Sequence, residues 1–155
     1  GVECLMVSAD DQDTVTGARG MEVTMDEKLS EIDDQCDLVV LPGGIPGVPN
    51  LKTNSKVQAM VKAQNDRGGY VAAICAGPTA LGAFGVLADK NATCYPGCED
   101  QLMAKRHSTE PVVVDGNVIT SRGVGTAIEF ALKLVEILID RQTADDLAEK
   151  IVYKR

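Results

Sequence analysis

The sequence is poor in aromatic residues and in histidine, and it has no long apolar run. It contains no tryptophan, and aromatic residues make up only 3% of the chain, too few for a platform on which nucleic-acid bases would stack. No apolar stretch reaches the ~20 residues that a membrane-spanning helix requires. The sequence has a single histidine, His107, so a catalytic dyad that requires histidine has only one candidate residue.

Positive charge is also scarce, with 15 Lys and Arg against 23 Asp and Glu, which gives a net charge of −8. A protein that binds duplex nucleic acid needs cations to displace the phosphate counterions. We therefore expect neither nucleic acid nor a membrane as a partner, which leaves a small or neutral ligand. The 155 residues match the usual size of one domain, so we expect a single domain over residues 1–155.

The cysteines do not form a disulfide framework, because their number is odd and their spacing shows no tight repeat. The five are Cys4, Cys36, Cys75, Cys94 and Cys98. Such usage favours a reducing compartment, and we expect a cytoplasmic protein. The chain begins at Gly1 without a basic segment, so we expect no signal peptide. Cys94 and Cys98 have no matching pair of metal ligands, so we expect neither a metal nor a cofactor.

Short apolar runs bounded by glycine and proline alternate with segments of helical periodicity. Strands are predicted over 2–8, 37–41 and 70–74, and hairpins over 14–25 and 112–121. One helix is predicted to begin at Asn54 or Ser55 and another to cover 79–84. Two further helices are predicted to begin at Thr126 and at Thr143. Alternating strands and helices are typical of an α/β fold with a mostly parallel sheet.

The most informative segment is the end of the strand over 70–74, which runs directly into Cys75–Ala76–Gly77–Pro78. A nucleophile elbow consists of a strand, a sharp turn and an immediate helix, with small residues on both sides of the nucleophile. The start of a helix favours a thiolate over a thiol. Cys75 is therefore a candidate nucleophile, and the alternative is a buried cysteine packed between sheet and helix.

Two glycine-containing loops follow other strands of the predicted sheet. Leu41-Pro-Gly-Gly44 ends one strand, and the backbone N–H groups of Gly44 and Ala76 are candidates for an oxyanion hole beside the sulfur. The alternative for this loop is an ordinary glycine-rich turn. The loop from Ser121 to Thr126 has the spacing of neither phosphate-binding fingerprint, so it is a weak anion site.

Three strings, in this order along the chain, resemble the ThiJ/PfpI superfamily and, within it, the DJ-1-like branch. They are L-P-G-G at 41–44, A-A-I-C-A-G-P-T-A-L at 72–81 and T-S-R-G-x-G-T at 120–126. The resemblance covers essentially the whole chain. It implies a flavodoxin-like, class I glutamine amidotransferase-like fold, in which a doubly wound, mostly parallel sheet carries helices on both faces. It also implies a homodimer.

The resemblance also implies roles for individual residues. Cys75 matches the reactive, easily oxidised cysteine of the family, and Gly44 and Ala76 match its oxyanion-hole donors. Arg19 resembles the arginine that the family places near the site, and Arg122 is a second candidate for substrate binding. The implied activities are methylglyoxal or deglycase-type chemistry, redox sensing and chaperone function, so a small carbonyl compound is the expected substrate.

The chain departs from the family at its beginning. In the family, a glutamate on the first strand-to-helix segment touches the cysteine, whereas this chain begins at the equivalent of the second strand. Loss of a central strand leaves unpaired backbone groups, each costing about 1–3 kcal/mol if buried. We therefore expect the domain to be incomplete at its N-terminus and to be complemented by an N-terminal fragment of the same protein.

The second departure concerns the catalytic base. Ala76 stands where relatives with protease-like triads have a histidine, and Tyr95 stands where others have one before a proline. Tyr95 can donate a hydrogen bond to a carbonyl oxygen but is a poor base, because tyrosine ionises near pH 10. His107 lies in a polar run and is expected at the surface. A Cys–His protease mechanism is therefore not expected.

Three hypotheses for function follow from these residues. The first is an enzyme that acts on small carbonyl compounds through Cys75, and the second is a non-catalytic redox sensor or chaperone-like dimer. The third is a structural domain whose site is inactive without its carboxyl partner. Cys94 and Cys98 are candidates to condense with an oxidised Cys75, and the alternative is that they are ordinary strand and loop cysteines.

Overall fold

The computed structural model describes residues 1–33 and 35–154. Its strands are β1 (Val7–Ser8), β2 (Thr14–Thr16), β3 (Glu22–Thr24), β4 (Glu27–Lys28), β5 (Leu38–Leu41), β6 (Tyr70–Ile74), β7 (Asn91–Ala92), β8 (Arg106–His107), β9 (Val112–Asp115) and β10 (Val118–Ser121). Its α-helices are α1 (Gly47–Thr53), α2 (Ser55–Asp66), α3 (Pro78–Ala83), α4 (Ala127–Leu138) and α5 (Arg141–Lys150). Short 3₁₀ turns cover Glu99–Gln101 and Val124–Thr126.

The central sheet has four strands in the order β5-β6-β10-β9. Strands β5 and β10 both run parallel to β6, and β9 pairs with β10 in the antiparallel direction. The β9–β10 hairpin turns at Gly116, whose φ of +64° is the left-handed conformation that glycine adopts easily. The predicted α/β class with a mostly parallel sheet is confirmed.

Helices cover both faces of this sheet, because its strands alternate apolar side chains between the two faces. On one face Val71, Ala73 and Val118 are buried against helices α1, α2 and α3. On the other face Ala72 and Ile119 pack against Phe130 of α4. The result is a three-layer arrangement in which the carboxyl ends of β5, β6 and β10 meet at one edge.

The beginning of the chain differs from the strand predicted over residues 2–8. Only Val7–Ser8 forms a strand, and it pairs in parallel with Glu27–Lys28 in a separate two-stranded sheet. The apolar side chains of Val2 and Leu5 are 47% and 53% exposed. A strand is stabilised by its neighbours rather than by its own residues, so this prediction was too long.

The helix termini show which sequence signals the structure uses. The predicted cap of α2 is confirmed, since Asn54 Oδ1 accepts hydrogen bonds from the N–H groups of Lys56 and Val57. The Asn54 amide also donates to Ala9 O at 2.7 Å, which ties the N-terminal segment to this helix. Helix α5 begins earlier than predicted, because Asp140 rather than Thr143 caps it.

Among the described residues, no helix combines the length and the apolar character needed to cross a membrane.

Candidate functional site at Cys75

Cys75 lies in the turn between β6 and α3, and its backbone has the conformation of a nucleophile elbow. Its φ is +64°, in the left-handed region that residues other than glycine rarely adopt. The Cys75 N–H donates to Ser121 O at 3.0 Å, and the Gly77 N–H donates back to Ile74 O at 2.9 Å. Backbone strain of this kind is concentrated at functional sites, and the surrounding hydrogen bonds hold it in place.

Two glycines allow neighbouring backbone segments to approach the elbow closely. A methyl group on Gly43 would lie 2.6 Å from Cys75 Cβ and 3.1 Å from Cys75 Sγ. A methyl group on Gly77 would lie 2.7 Å from Leu41 O and 3.0 Å from Pro42 O. The loop after β5 therefore packs directly against the cysteine. The sequence reasoning missed Gly43, although the Pro-Gly-Gly string was the available signal.

The backbone N–H groups of Gly44 and Ala76 lie on the two segments that meet at Cys75. Within residues 1–33 and 35–154, neither group donates a hydrogen bond. Gly44 has a φ of +98°, and nothing lies within 4 Å of a methyl group built on it. Unused donors beside a half-buried thiol are able to bind a negatively charged oxygen.

Tyr95 lies at the rim of the elbow. Its N–H donates to Cys75 O at 2.8 Å, and its ring packs on Gly123, with Cδ2 3.3 Å from the position of an added methyl group. The side chain is 51% exposed. The phenol of Tyr95 is therefore carried on a backbone segment joined directly to the cysteine.

All five cysteines are free thiols, and two of them lie on the segment that contains Tyr95. Cys94 is fully buried, and burial, reinforced by the charge of Glu99, raises the pKa of its thiol to about 11. Cys98 is half-buried, and its pKa is raised first by burial and then by the charge of Cys75. Cys75, Cys94 and Cys98 are thus brought within electrostatic range of one another.

The loop from Ser121 to Thr126 is held by its own hydrogen bonds. Thr126 Oγ1 accepts from the Gly123 N–H at 3.1 Å and lies 2.7 Å from Ser121 Oγ. The Thr126 hydroxyl therefore closes this loop and makes no capping hydrogen bond to α4, the helix predicted to begin at this residue. Arg122 Nη1 donates to Thr109 O at 3.3 Å, and its charge lowers the pKa of Cys94 against the larger effect of burial.

Arg19 and His107 belong to the small two-stranded sheets rather than to the elbow itself. Arg19 is in the exposed turn of the β2–β3 hairpin, which is a separate two-stranded sheet. His107 was expected in solvent but belongs to strand β8, and among the described residues its buried Nε2 has no hydrogen-bond partner. In the part of the chain that the structure describes, no group of three or more potential metal ligands is present.

Comparison with known proteins identifies relatives of this arrangement. The sequence model of the DJ-1/PfpI family matches residues 1–137. The Parkinson disease protein 7 homolog of Danio rerio is 38% identical over 159 residues, with 99% of this chain and 84% of that protein covered. The glutathione-independent glyoxalase DJR-1.2 of Caenorhabditis elegans is 35% identical over 137 residues, with 86% and 73% covered.

A similar fold is found among solved structures. The structure of oxidized Toxoplasma gondii DJ-1 superposes with a TM-score of 0.92 at 33% identity and covers 97% of this chain and 83% of that chain. The flavodoxin-like, class I glutamine amidotransferase-like architecture is therefore confirmed. The chain spans 36% and 40% of the lengths of two longer relatives, the DJ-1 homologs B and A of Arabidopsis thaliana.

Proposed function

Because this chain belongs to the DJ-1/PfpI family, we propose that it acts on small reactive carbonyl compounds through Cys75. The observation that carries this proposal is the left-handed Cys75, which lies next to two backbone N–H groups that donate no hydrogen bond in the part of the chain that the structure describes. A relative that is 35% identical is named a glutathione-independent glyoxalase. Methylglyoxal is therefore the first substrate to test.

The first chemical step is addition of the Cys75 thiolate to the aldehyde carbon of methylglyoxal. The C–S bond forms as the C=O π pair moves onto oxygen, which gives a hemithioacetal oxyanion. The N–H groups of Gly44 and Ala76 would hold this oxygen, and the Tyr95 hydroxyl would donate to the adjacent ketone. Arg19 and Arg122 are the proposed cationic contacts for anionic substrates or products.

The later steps require a base that moves a proton between the two carbonyl carbons and prepares water for hydrolysis. Ala76, which follows Cys75 directly, has no side chain that could act as this base. The family resemblance implies a glutamate on a strand-to-helix segment. We propose that this carboxyl group comes from a complementing segment of the same protein, outside residues 1–155.

The edge of the central sheet supports such a complement. In the described residues β5 pairs only with β6, and Val40 on β5 is 42% exposed. An unpaired strand edge presents a row of free N–H and C=O groups, which is a template for another strand. At the other edge, β9 is partly covered, because Asn91 of β7 donates to Asp115 Oδ2 at 2.8 Å.

We expect the 155-residue chain alone to self-associate through β5, and Val40→Lys to weaken this association about tenfold by placing a charge beside the open edge. Val114→Lys is the matched control, because Val114 lies on β9 and is similarly exposed at 46%. The measurement is sedimentation or native mass over a concentration series. A folded parent chain whose intact mass shows only this species, and which shows no concentration-dependent association, contradicts the proposal.

The test of the function is turnover of methylglyoxal in excess over protein. We expect loss of the aldehyde and release of a hydroxy acid over many cycles, with the complementing segment present. The competing proposal is a non-catalytic redox sensor or chaperone-like dimer in which oxidation of Cys75 is the signal, supported by the relative solved in an oxidized form. For that function turnover would be negligible, while peroxide would add oxygen mass at Cys75.

We further propose that the protein is a cytoplasmic homodimer. The free state of all five thiols is what a reducing compartment such as the cytoplasm maintains, and the family resemblance implies the dimer.

A further inference from the structure

The cysteine at position 98 is folded back toward the nucleophile elbow by a tight turn. Residues 95–98 form this turn, in which the Cys98 N–H donates to Tyr95 O at 3.0 Å and Gly97 has a φ of +92°. Proline followed by glycine at the two central positions is typical of a type II turn, which keeps its first and last Cα atoms within about 7 Å. Because Tyr95 is itself hydrogen-bonded to Cys75 O, the turn brings Cys98 close to the elbow.

Cys98 and Cys94 differ in how well each is placed to react. Cys94 is fully buried, and after burial its strongest electrostatic influence comes from Glu99. Cys98 is half-buried, and after burial its strongest electrostatic influence is the charge of Cys75. Pro96 and Gly97, which precede Cys98, are both exposed, so the turn has room to adjust. These observations favour Cys98 over Cys94 as the partner of Cys75.

We propose that Cys98 is the resolving thiol for Cys75, so that oxidation by a hydroperoxide ends in a Cys75–Cys98 disulfide rather than in an irreversibly oxidised sulfur. This inference rests on the proposed reactivity of Cys75. In the first step the Cys75 thiolate attacks the hydroperoxide, the O–O bond breaks, an alcohol or water leaves, and Cys75 becomes a sulfenic acid.

In the second step the Cys98 thiolate attacks the Cys75 sulfur. The S–S bond forms, the S–O bond breaks, and the departing hydroxide takes up the proton that Cys98 released. Two thiols and one hydroperoxide thus give one disulfide, one alcohol or water, and one further water. The two-electron reduction of the peroxide balances the oxidation of the two sulfurs.

The charge of Cys75 influences the order of these two steps through the pKa of Cys98. Burial is the main cause of the raised pKa of Cys98, and the charge of a Cys75 thiolate raises it further. Conversion of Cys75 to a neutral sulfenic acid removes this second contribution, so the pKa of Cys98 falls while the effect of burial stays. The change in charge therefore favours attack by Cys98 after the sulfenic acid has formed rather than before.

The experiment is treatment of the 155-residue chain with hydrogen peroxide, followed by alkylation of free thiols and peptide mapping. We expect a 75–98 crosslink and a species lighter by two hydrogen atoms. In Cys98→Ser we expect the sulfinic form of Cys75 to increase about tenfold at the same peroxide dose, because the sulfenic acid is no longer resolved. Cys94→Ser and the exposed Cys4→Ser are matched controls that should keep the crosslink, and circular dichroism checks that each variant is folded.

Each other outcome is decisive. Oxygen mass at Cys75 without a 75–98 crosslink in the parent chain overturns this inference and leaves the reactivity of Cys75 standing, and a 75–94 crosslink assigns the role to Cys94 instead. If Cys75 takes up neither oxygen nor iodoacetamide, the inference and the proposed function both fail.

Discussion

Replacing Cys75 with serine is expected to lower kcat/KM for methylglyoxal by about a thousandfold or more. A serine hydroxyl ionises far above neutral pH, so it needs a neighbouring base to become a nucleophile. The residue that follows is Ala76, so the position next to the nucleophile supplies no such base. The measurement is the initial rate of methylglyoxal loss for parent and variant under identical conditions.

The control for this prediction is Cys4→Ser, because Cys4 is an exposed thiol that lies outside the central sheet. It should retain the parent rate. Methylglyoxal also reacts with accessible thiols without an enzyme, and equal rates for parent, Cys4→Ser and Cys75→Ser would reveal only that background. Such equality would contradict catalysis by Cys75.

A second variant at the same position separates loss of chemistry from loss of structure. The φ of +64° at Cys75 costs about 1 kcal/mol or more for a residue with a side chain, whereas glycine adopts it freely. Cys75→Gly should therefore unfold at a urea concentration no lower than the parent chain does, while turnover is lost. An inactive but stable variant would mean that the strained conformation of this residue is needed for activity and not for stability.

The elements that the sequence predicted well are those whose signal is local. Strand β6 is a continuous apolar run that ends at Cys75-Ala-Gly-Pro, so both the strand and the elbow follow from neighbouring residues. Helix α4 has a regular apolar stripe, and the β9–β10 hairpin has Asp115–Gly116–Asn117 at its turn. In each case propensity, pattern and tertiary packing favour the same structure.

The elements that the sequence did not predict depend on distant contacts. Helix α1 contains Pro49 and Asn50 and reads as a loop, yet it forms because Val48 is buried in the core and proline is tolerated in the first turn of a helix. The short strand β1 extends only as far as its partner β4 pairs with it. The propensities of neighbouring residues predict neither the contact of Val48 with the core nor the pairing of β1 with β4.

The residues of the candidate site likewise include some with a local sequence signal and others that depend on distant contacts. Cys75 and Gly44 were recognisable from the residues around them, but the separation of the two segments in sequence hides the contact of Gly43 with the cysteine. The approach of Cys98 to the elbow depends on the Tyr95–Cys98 turn and on the hydrogen bond from Tyr95 to Cys75 O. A one-dimensional pattern identifies such residues, whereas only the fold shows which of them meet.

Gly77→Ala is expected to lower the free energy of unfolding by about 3 kcal/mol, a large fraction of the stability of an ordinary domain. The backbone at Gly77 has φ −52° and ψ −40°, which alanine adopts without strain, so the cost is steric. The added methyl group would lie 2.7 Å from Leu41 O, 2.9 Å from Ile74 O and 3.0 Å from Pro42 O. Backbone oxygens cannot rotate away as a flexible side chain can, so the loop after β5 and the elbow would have to separate.

Gly47→Ala is the matched control, because Gly47 also stands at the start of a helix but has nothing within 4 Å of an added methyl group. Urea unfolding of both variants measures the difference, and Gly47→Ala should stay within about 0.5 kcal/mol of the parent chain. If Gly77→Ala were equally mild, the loop after β5 would not be packed tightly on the elbow. The N–H of Gly44 would then have no fixed position relative to the sulfur, and a preorganised oxyanion site would lose its structural basis.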